Sequence, residues 1–323
     1  MSHEFESGVF YGEAAWHGLG TTLDADDHRR RSVEGTIAAA GLDWSVTKYP
    51  TMIANSPDVP DEIKGAGIMD RYAVVRTSDW AILGNVGERY EPIQNRQMFD
   101  WFQPFLDSGE CEFETAGSLK GGAIVWVLAK LQRDDMEIGQ GDTIRKYLLL
   151  SSSHDGSMAT KVGFAPIRVV CWNTLSAPLA DSRSRLLSVR HTSGQSQSLE
   201  AIRDCCNTID SQFEATAQQY RKLLNCKISP SELRRYVKLV LSAPEDDGAM
   251  SKRMSKQVDR IVNLASSGAG NEGKTAWDAY QGVTHWLTHE RQKDASSRLN
   301  SLWFAESAKT NQRAFDLALQ LAS

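Results

Sequence analysis

The stretch Gly141–Leu175, GDTIRKYLLLSSSHDGSMATKVGFAPIRVVCWNTL, decides the fold. Its centre is Asp155-Gly156, and Asp-Gly suits the positive-φ positions of a type I′ turn better than almost any other pair. Upstream, Lys146–Ser152 reads as a strand, and downstream Ile167–Cys171 reads as a second, buried one. Two extended arms about a tight turn predict an antiparallel hairpin. Ala123–Leu131, which follows the turn at Gly121-Gly122, is another apolar run rich in β-formers. Runs of this kind, without polar alternation, predict a sheet covered on both faces or covered by a helix.

Outward from this hairpin the pattern changes twice. On the N-terminal side Ser32 caps a short helix with Val33, Ile37 and Ala40 on one face and Gly41 at its end. Strands are expected at Trp44–Tyr49, Tyr72–Thr77 and Trp80–Leu83, with the turn-rich NSPDVPDE between the first two. Asn95 is placed as the N-cap of a helix whose apolar positions are Met98, Phe99, Phe102 and Leu106. On the C-terminal side the period becomes helical. Leu199, Ile202, Cys206, Ile209, Phe213, Tyr220 and Leu223 recur at three and four residues. Ser229-Pro230-Ser231-Glu232 is a capping box with proline at the first helical position. Further helices are expected from about Ser251 to Leu264, from near Thr275, and over about Gln312–Leu321. The expected fold class is α+β: a mainly antiparallel β-sheet domain with packed helices over 1–192, then a helical domain over 193–323.

Composition narrows the function classes. No window approaches the run of roughly 18 apolar residues that a membrane span needs. The polar, acidic start MSHEFESGVFYGE lacks the features of a signal peptide. Cys111, Cys171, Cys205, Cys206 and Cys226 form neither a CxxC pair nor an even disulfide framework. A cytoplasmic, reducing location is the expectation.

The net charge is −5, but it is unevenly spread. Between Thr143 and His191 stand Arg145, Lys146, Lys161, Arg168, Arg183, Arg185 and Arg190, against only Asp155 and Asp181. Tyr147, Phe164 and Trp172 are interleaved with them. Cations that track phosphates, with ring faces that stack on bases, are the ingredients of a single-strand nucleic-acid groove. The competing explanation is a solvated strand face above core aromatics.

Other motifs have stronger ordinary explanations. Gly268–Thr275, GAGNEGKT, matches GxxxxGK[ST] letter for letter. A phosphate loop must leave a strand and face an aspartate on a neighbouring strand, whereas SKRMSKQVDRIVNLA before it is helical. A glycine-rich connector between helices is expected instead. His285 and His289 are four apart, but Trp286 stands where a zincin needs glutamate, so packing or surface histidines are expected and no metal. Cys171 with His154, Asp155 and His191 could form a hydrolase set, but Cys171 lies in an apolar strand that makes a thiol inert. Trp16-His17-Gly18-Leu19-Gly20 reads as a tight turn pinned by an aromatic.

Several of these stretches resemble the phage- and plasmid-related proteins grouped as domain of unknown function 932. The resemblance rests on AWHGLG at Ala15–Gly20, VGERYEPIQNRQMF at Val86–Phe99 and TAGSLKGGAIVWVLAKL at Thr115–Leu131. It also rests on the Gly141–Leu175 block, His191-Thr192 and TAWDAYQGVTHWLTHE. It implies a mobile-element gene and carries no catalytic residues across. The expected function is nucleic-acid binding, in the form of single-stranded DNA binding or annealing, without metal, nucleotide or other cofactor, by a homo-oligomer. Binding is expected rather than catalysis. Two alternatives stand: a small-molecule or nucleotide-processing enzyme using His154, Asp155 or Cys171, and a protein-interaction or anti-defence factor acting through the seam Leu199–Leu223.

Overall fold

The structure is a computed structural model that describes residues 5–12, 19–132, 134–139, 141–168, 173–174, 187–189, 211 and 213–323. The Trp16–Gly18 part of the glycine turn, Cys171, Trp172, Arg183, Arg185, Arg190 and the seam before 211 lie outside those residues.

The architecture is α+β. Its main sheet has nine strands, seven of them in the order β11-β10-β9-β7-β6-β1-β2, with β12 paired to β10 and β8 to β9. These are β1 (Phe5–Tyr11), β2 (Thr21–Leu23), β6 (Cys111–Leu119), β7 (Ile124–Leu131), β8 (Met136–Gly139), β9 (Asp142–Ser153), β10 (Thr160–Arg168), β11 (Asn173–Thr174) and β12 (Leu187–Val189). Only β1 and β2 run parallel; every other pairing in the sheet is antiparallel. The hairpin turns at Asp155-Gly156, where Gly156 has φ of 73°. Its second strand starts seven residues before the expected Ile167. β6 and β7 are buried along nearly their whole length, so the sheet is covered on both faces. β1 was not foreseen. Its four buried residues, Gly8–Tyr11, follow a polar start that hides the pattern.

Three short helices pack beside β1 and β6. α1 (Val33–Ala39) is capped by Ser32, whose side chain accepts from the Gly35 N–H. The expected helix from Asn95 is two helices, α2 (Asn95–Asp100) and α3 (Gln103–Asp107). Pro104 near the start of α3 lacks the N–H that would continue the first helix. The true N-cap is Gln94, which forms a capping box with Gln97. Asn95 instead donates to the carbonyls of Leu42 and Trp44 and meets His154 at 2.9 Å.

A second sheet of three antiparallel strands, β3 (Val46–Met52), β4 (Gly67–Arg76) and β5 (Ile82–Gly87), stands on the hairpin tip. The contact is close. A Cβ on Gly84 would lie 2.3 Å from the Asp155 Cα, and the Tyr90 hydroxyl donates to the Ser153 carbonyl.

The remainder is helical: α4 (213–225), α5 (Pro230–Leu241), α6 (Lys252–Ser267), α7 (Ala276–His285), a π-turn over Trp286–Glu290, α8 (Ala295–Phe304) and α9 (Glu306–Leu321). The Ser229 capping box forms as expected. α8 was not foreseen, although Asp294 caps it through the Ser297 N–H. One contiguous apolar core runs from Val9 through the sheet to Ala318, so the β-rich part and the helices share a single interior. Aromatic contacts join them. Trp126 of β7 meets Trp303 of α8 edge to face at 5.1 Å, and Tyr220 of α4 meets Trp277 and Phe315 at 5.0 and 5.6 Å.

Candidate nucleic-acid interface

The strands carry four of the basic residues expected to form a groove, Arg145 and Lys146 on β9 and Lys161 and Arg168 on β10, and they do not present a common track. Arg168 is fully buried. Its guanidinium forks onto Asp142 at 2.7 and 2.6 Å, and donates to the Gly270 carbonyl and the Asn271 side chain. The Trp277 indole N–H donates to the same carboxylate at 2.8 Å. Arg168 is thus the pin that holds β9 and β10 to the α6–α7 loop. It cannot reach phosphate without leaving Asp142 buried and alone.

Tyr147 is also inside, 1% exposed. Its hydroxyl donates to Glu114, which shares Arg30 with Glu112 at 3.0 and 2.9 Å. Burial holds the Glu114 carboxyl above its usual range in spite of that arginine. Arg145 borders this network and pairs with Asp135 at 3.6 Å. Lys146 is half-buried, with its amine over the Phe213 ring at 5.4 Å, and Lys161 is half-buried on β10. Phe164 lies on β10 between them. Arg183, Arg185, Arg190 and Trp172 lie outside the described residues. The ring and the guanidinium expected to face a ligand, Tyr147 and Arg168, are therefore structural. A +5 stretch does not reveal which charges are spent indoors.

The free cations gather elsewhere. Lys252, Arg253 and Lys256, in the first turns of α6, are exposed and make no ion pair among the described residues. With Gln257, Arg260 and Trp286 they line an open cavity of about 490 Å³. Lys252, Lys256 and Arg260 fall four apart, so they form one row along the helix. Arg260 is bidentate to Glu290 at 2.8 and 2.5 Å. The Trp286 ring has Arg291 on it at 5.6 Å. Trp286 opens the π-turn, closed by the Arg291 N–H donating to the Trp286 carbonyl five residues back. Such π-turns occur often at functional sites. His285 and His289 flank it with ring centroids 4.6 Å apart. His285 Nε2 is 3.9 Å from Glu290, and burial pushes its pKa below the usual histidine value. Among the described residues, no group of three or more His, Cys, Asp or Glu side chains is placed to hold a metal.

This row was legible in the sequence as SKRMSKQVDR. It was passed over because Asp259 and the acidic stretches nearby flatten the local charge. In the fold Asp259 turns away and pairs with Arg234 at 2.7 Å.

The family model described as domain of unknown function (DUF932) matches residues 82–314. The chain belongs to this family. The DUF932 match takes in β5 to β10 and almost the whole helical part, including the α6 row and the π-turn. No curated protein and no solved structure matches the chain. Among the described residues, no helix of this DUF932 chain is long and apolar enough to cross a membrane.

The GAGNEGKT segment connects α6 to α7, as expected, and its geometry shows what its amides do. The N–H groups of Glu272, Lys274 and Thr275 donate to the Asp278 carboxylate at 3.3, 3.0 and 3.1 Å, and the Thr275 hydroxyl adds a fourth bond at 2.9 Å. A nest of amides that could cradle phosphate is filled by the chain's own carboxylate. Lys274 is exposed and pairs with Glu272. His154 is 1% exposed, set between Asn95 and the Trp44 ring, and Asp155 accepts from the Ser157 N–H in the turn. Of the described part of the seam, Phe213, Tyr220 and Leu223 are buried within the chain.

Proposed function

We propose that this protein binds nucleic acid by its phosphates, through the α6 row rather than through the sheet. One observation carries the reading. Lys252, Arg253 and Lys256, without an ion-pair partner among the described residues, line one open cavity with Arg260 and Trp286. Their placement works against the helix. Cations in a first turn oppose the macrodipole by about 0.3–1 kcal/mol each. Like charges four apart cost roughly 0.2–0.5 kcal/mol more per pair. A phosphate backbone offsets both, and the positive helix end then assists binding. Backbone contact without base reading fits a site with one indole edge and no amide side chain other than Gln257.

The single-stranded preference and a role in a phage or plasmid belong to the same proposal. Their support is the resemblance of the chain and the open cavity of about 490 Å³. Fluorescence anisotropy with single- and double-stranded oligonucleotides across a salt series tests it. Affinity is expected to fall with log-log slope of about −0.7 per neutralised phosphate on single strands and about −0.9 on duplex. Lys252→Glu with Lys256→Glu is expected to abolish binding at moderate salt, while Lys274→Ala, which removes an exposed cation elsewhere, leaves it intact. If the wild type binds neither oligonucleotide at low salt, the proposal is wrong.

A further inference from the structure

The second sheet has two edges, and they differ. β3 carries Pro50, one of the devices that keep a strand edge from pairing with another chain, while its Lys48 reaches across the sheet to the Glu88 and Tyr90 carbonyls. β5 reads Ile-Leu-Gly-Asn-Val-Gly, with no charge and no proline. It hydrogen-bonds to β4 on one side, and among the described residues no strand pairs with its other side. Beside this edge stand Trp80, 68% exposed, and Ile82, 73% exposed. Trp80 has φ of 64°, a region bulky side chains rarely occupy. It is held there from behind. The Trp80 N–H donates to the Arg76 carbonyl, and the Arg76 guanidinium forks onto Asp79 at 2.8 and 2.6 Å while also pairing with Glu6. Backbone strain of this kind persists where surrounding structure enforces it, and here it aims an indole at solvent.

We propose that two copies of the chain pair through β5, antiparallel about a two-fold axis near Asn85, joining the two small sheets into one of six strands. The strand is its own complement. Antiparallel pairing brings no charged β5 side chain against another, because there is none. It also brings the Trp80 end of one copy to the Arg89 end of the second. Arg89 is exposed, so a guanidinium meets an indole face at each end of the interface. Asp79 at the first end is already neutralised by Arg76, so Glu88 beside Arg89 meets no free like charge. A two-fold contact requires one patch to fit itself, and this edge does.

Sedimentation of the full chain over a concentration series tests the pairing. The wild type is expected to be dimeric. Asn85→Lys and Asn85→Glu each place like charges at the axis, on an exposed side chain, and are expected to give monomers with unchanged circular dichroism and a melting temperature that no longer rises with protein concentration. Mixing the two variants is expected to restore the dimer, since lysine then faces glutamate. Trp80→Ala is expected to weaken the wild-type dimer without unfolding it. A wild type that stays monomeric throughout would overturn the proposal. So would Asn85→Lys that remains dimeric, or a mixture that fails to recover.

Discussion

At the scale of single residues, the clearest case is Arg168. From sequence it is one cation among seven, and nothing in its neighbours marks it for the interior. The structure gives it Asp142, Asn271 and two loop carbonyls, and stacks it at 5.5 Å on Trp277. Breaking a buried pair from one side leaves the other charge uncompensated, at about 3–5 kcal/mol. Arg168→Ala is therefore expected to lower the unfolding free energy measured by chemical denaturation by that amount, and Arg168→Ala with Asp142→Ala to recover part of it. His285 makes a second prediction. Burial holds its pKa below about 6.5, so the unfolded chain takes the proton first as pH falls. Its contribution to stability is present above that pH and is lost on acidification toward the folded value. Glu290 and His289 face it, with Arg260 behind, and only the first attracts the proton. Melting temperature is expected to fall as the pH drops below about 6.5, and His285→Gln to flatten that fall.

At the scale of elements, legibility followed the locality of the signal. The Ser32 and Ser229 caps, the Asp155-Gly156 turn and the α6–α7 connector were readable because each is set by a few neighbouring residues. β1 was not, because Phe5–Tyr11 acquires its strand character only by pairing with β6, more than a hundred residues on. The split between α2 and α3 was readable in Pro104, and was missed because the apolar spacing runs straight through it. The α6 row was visible as letters, but its isolation depends on Asp259 turning toward Arg234. This helix yields a prediction with opposed signs. Lys252→Glu with Lys256→Glu reverses the unfavourable dipole terms and turns the 256–260 repulsion into an attraction, while the 252–256 pair stays like-charged, so α6 and the protein are expected to gain about 0.5–1 kcal/mol while oligonucleotide binding is lost. Chemical denaturation and anisotropy on the same preparation measure both.

At the scale of the whole molecule, the α+β class was legible from patterning alone. The shared interior was not, because it is made of contacts between distant segments. Trp126 with Trp303 and Asp142 with Trp277 have no counterpart in any local window. A fragment ending at residue 192 would expose the sheet surface that α7 and α8 cover and would strand Arg168 and Asp142 half-satisfied. It is expected to be insoluble or to lack near-ultraviolet circular dichroism, whereas a freely folding domain would show both solubility and a cooperative melt.

The Arg168 pin also bears on synthesis. The sheet strands leave the ribosome more than a hundred residues ahead of the loop that satisfies their guanidinium. Until Trp277 and the 269–271 carbonyls emerge, the nascent sheet holds a charge pair with no lid over it and must wait, open to proteases and chaperones. Co-translational protection of β9 and β10 is then expected to appear abruptly, late in elongation, in a single step.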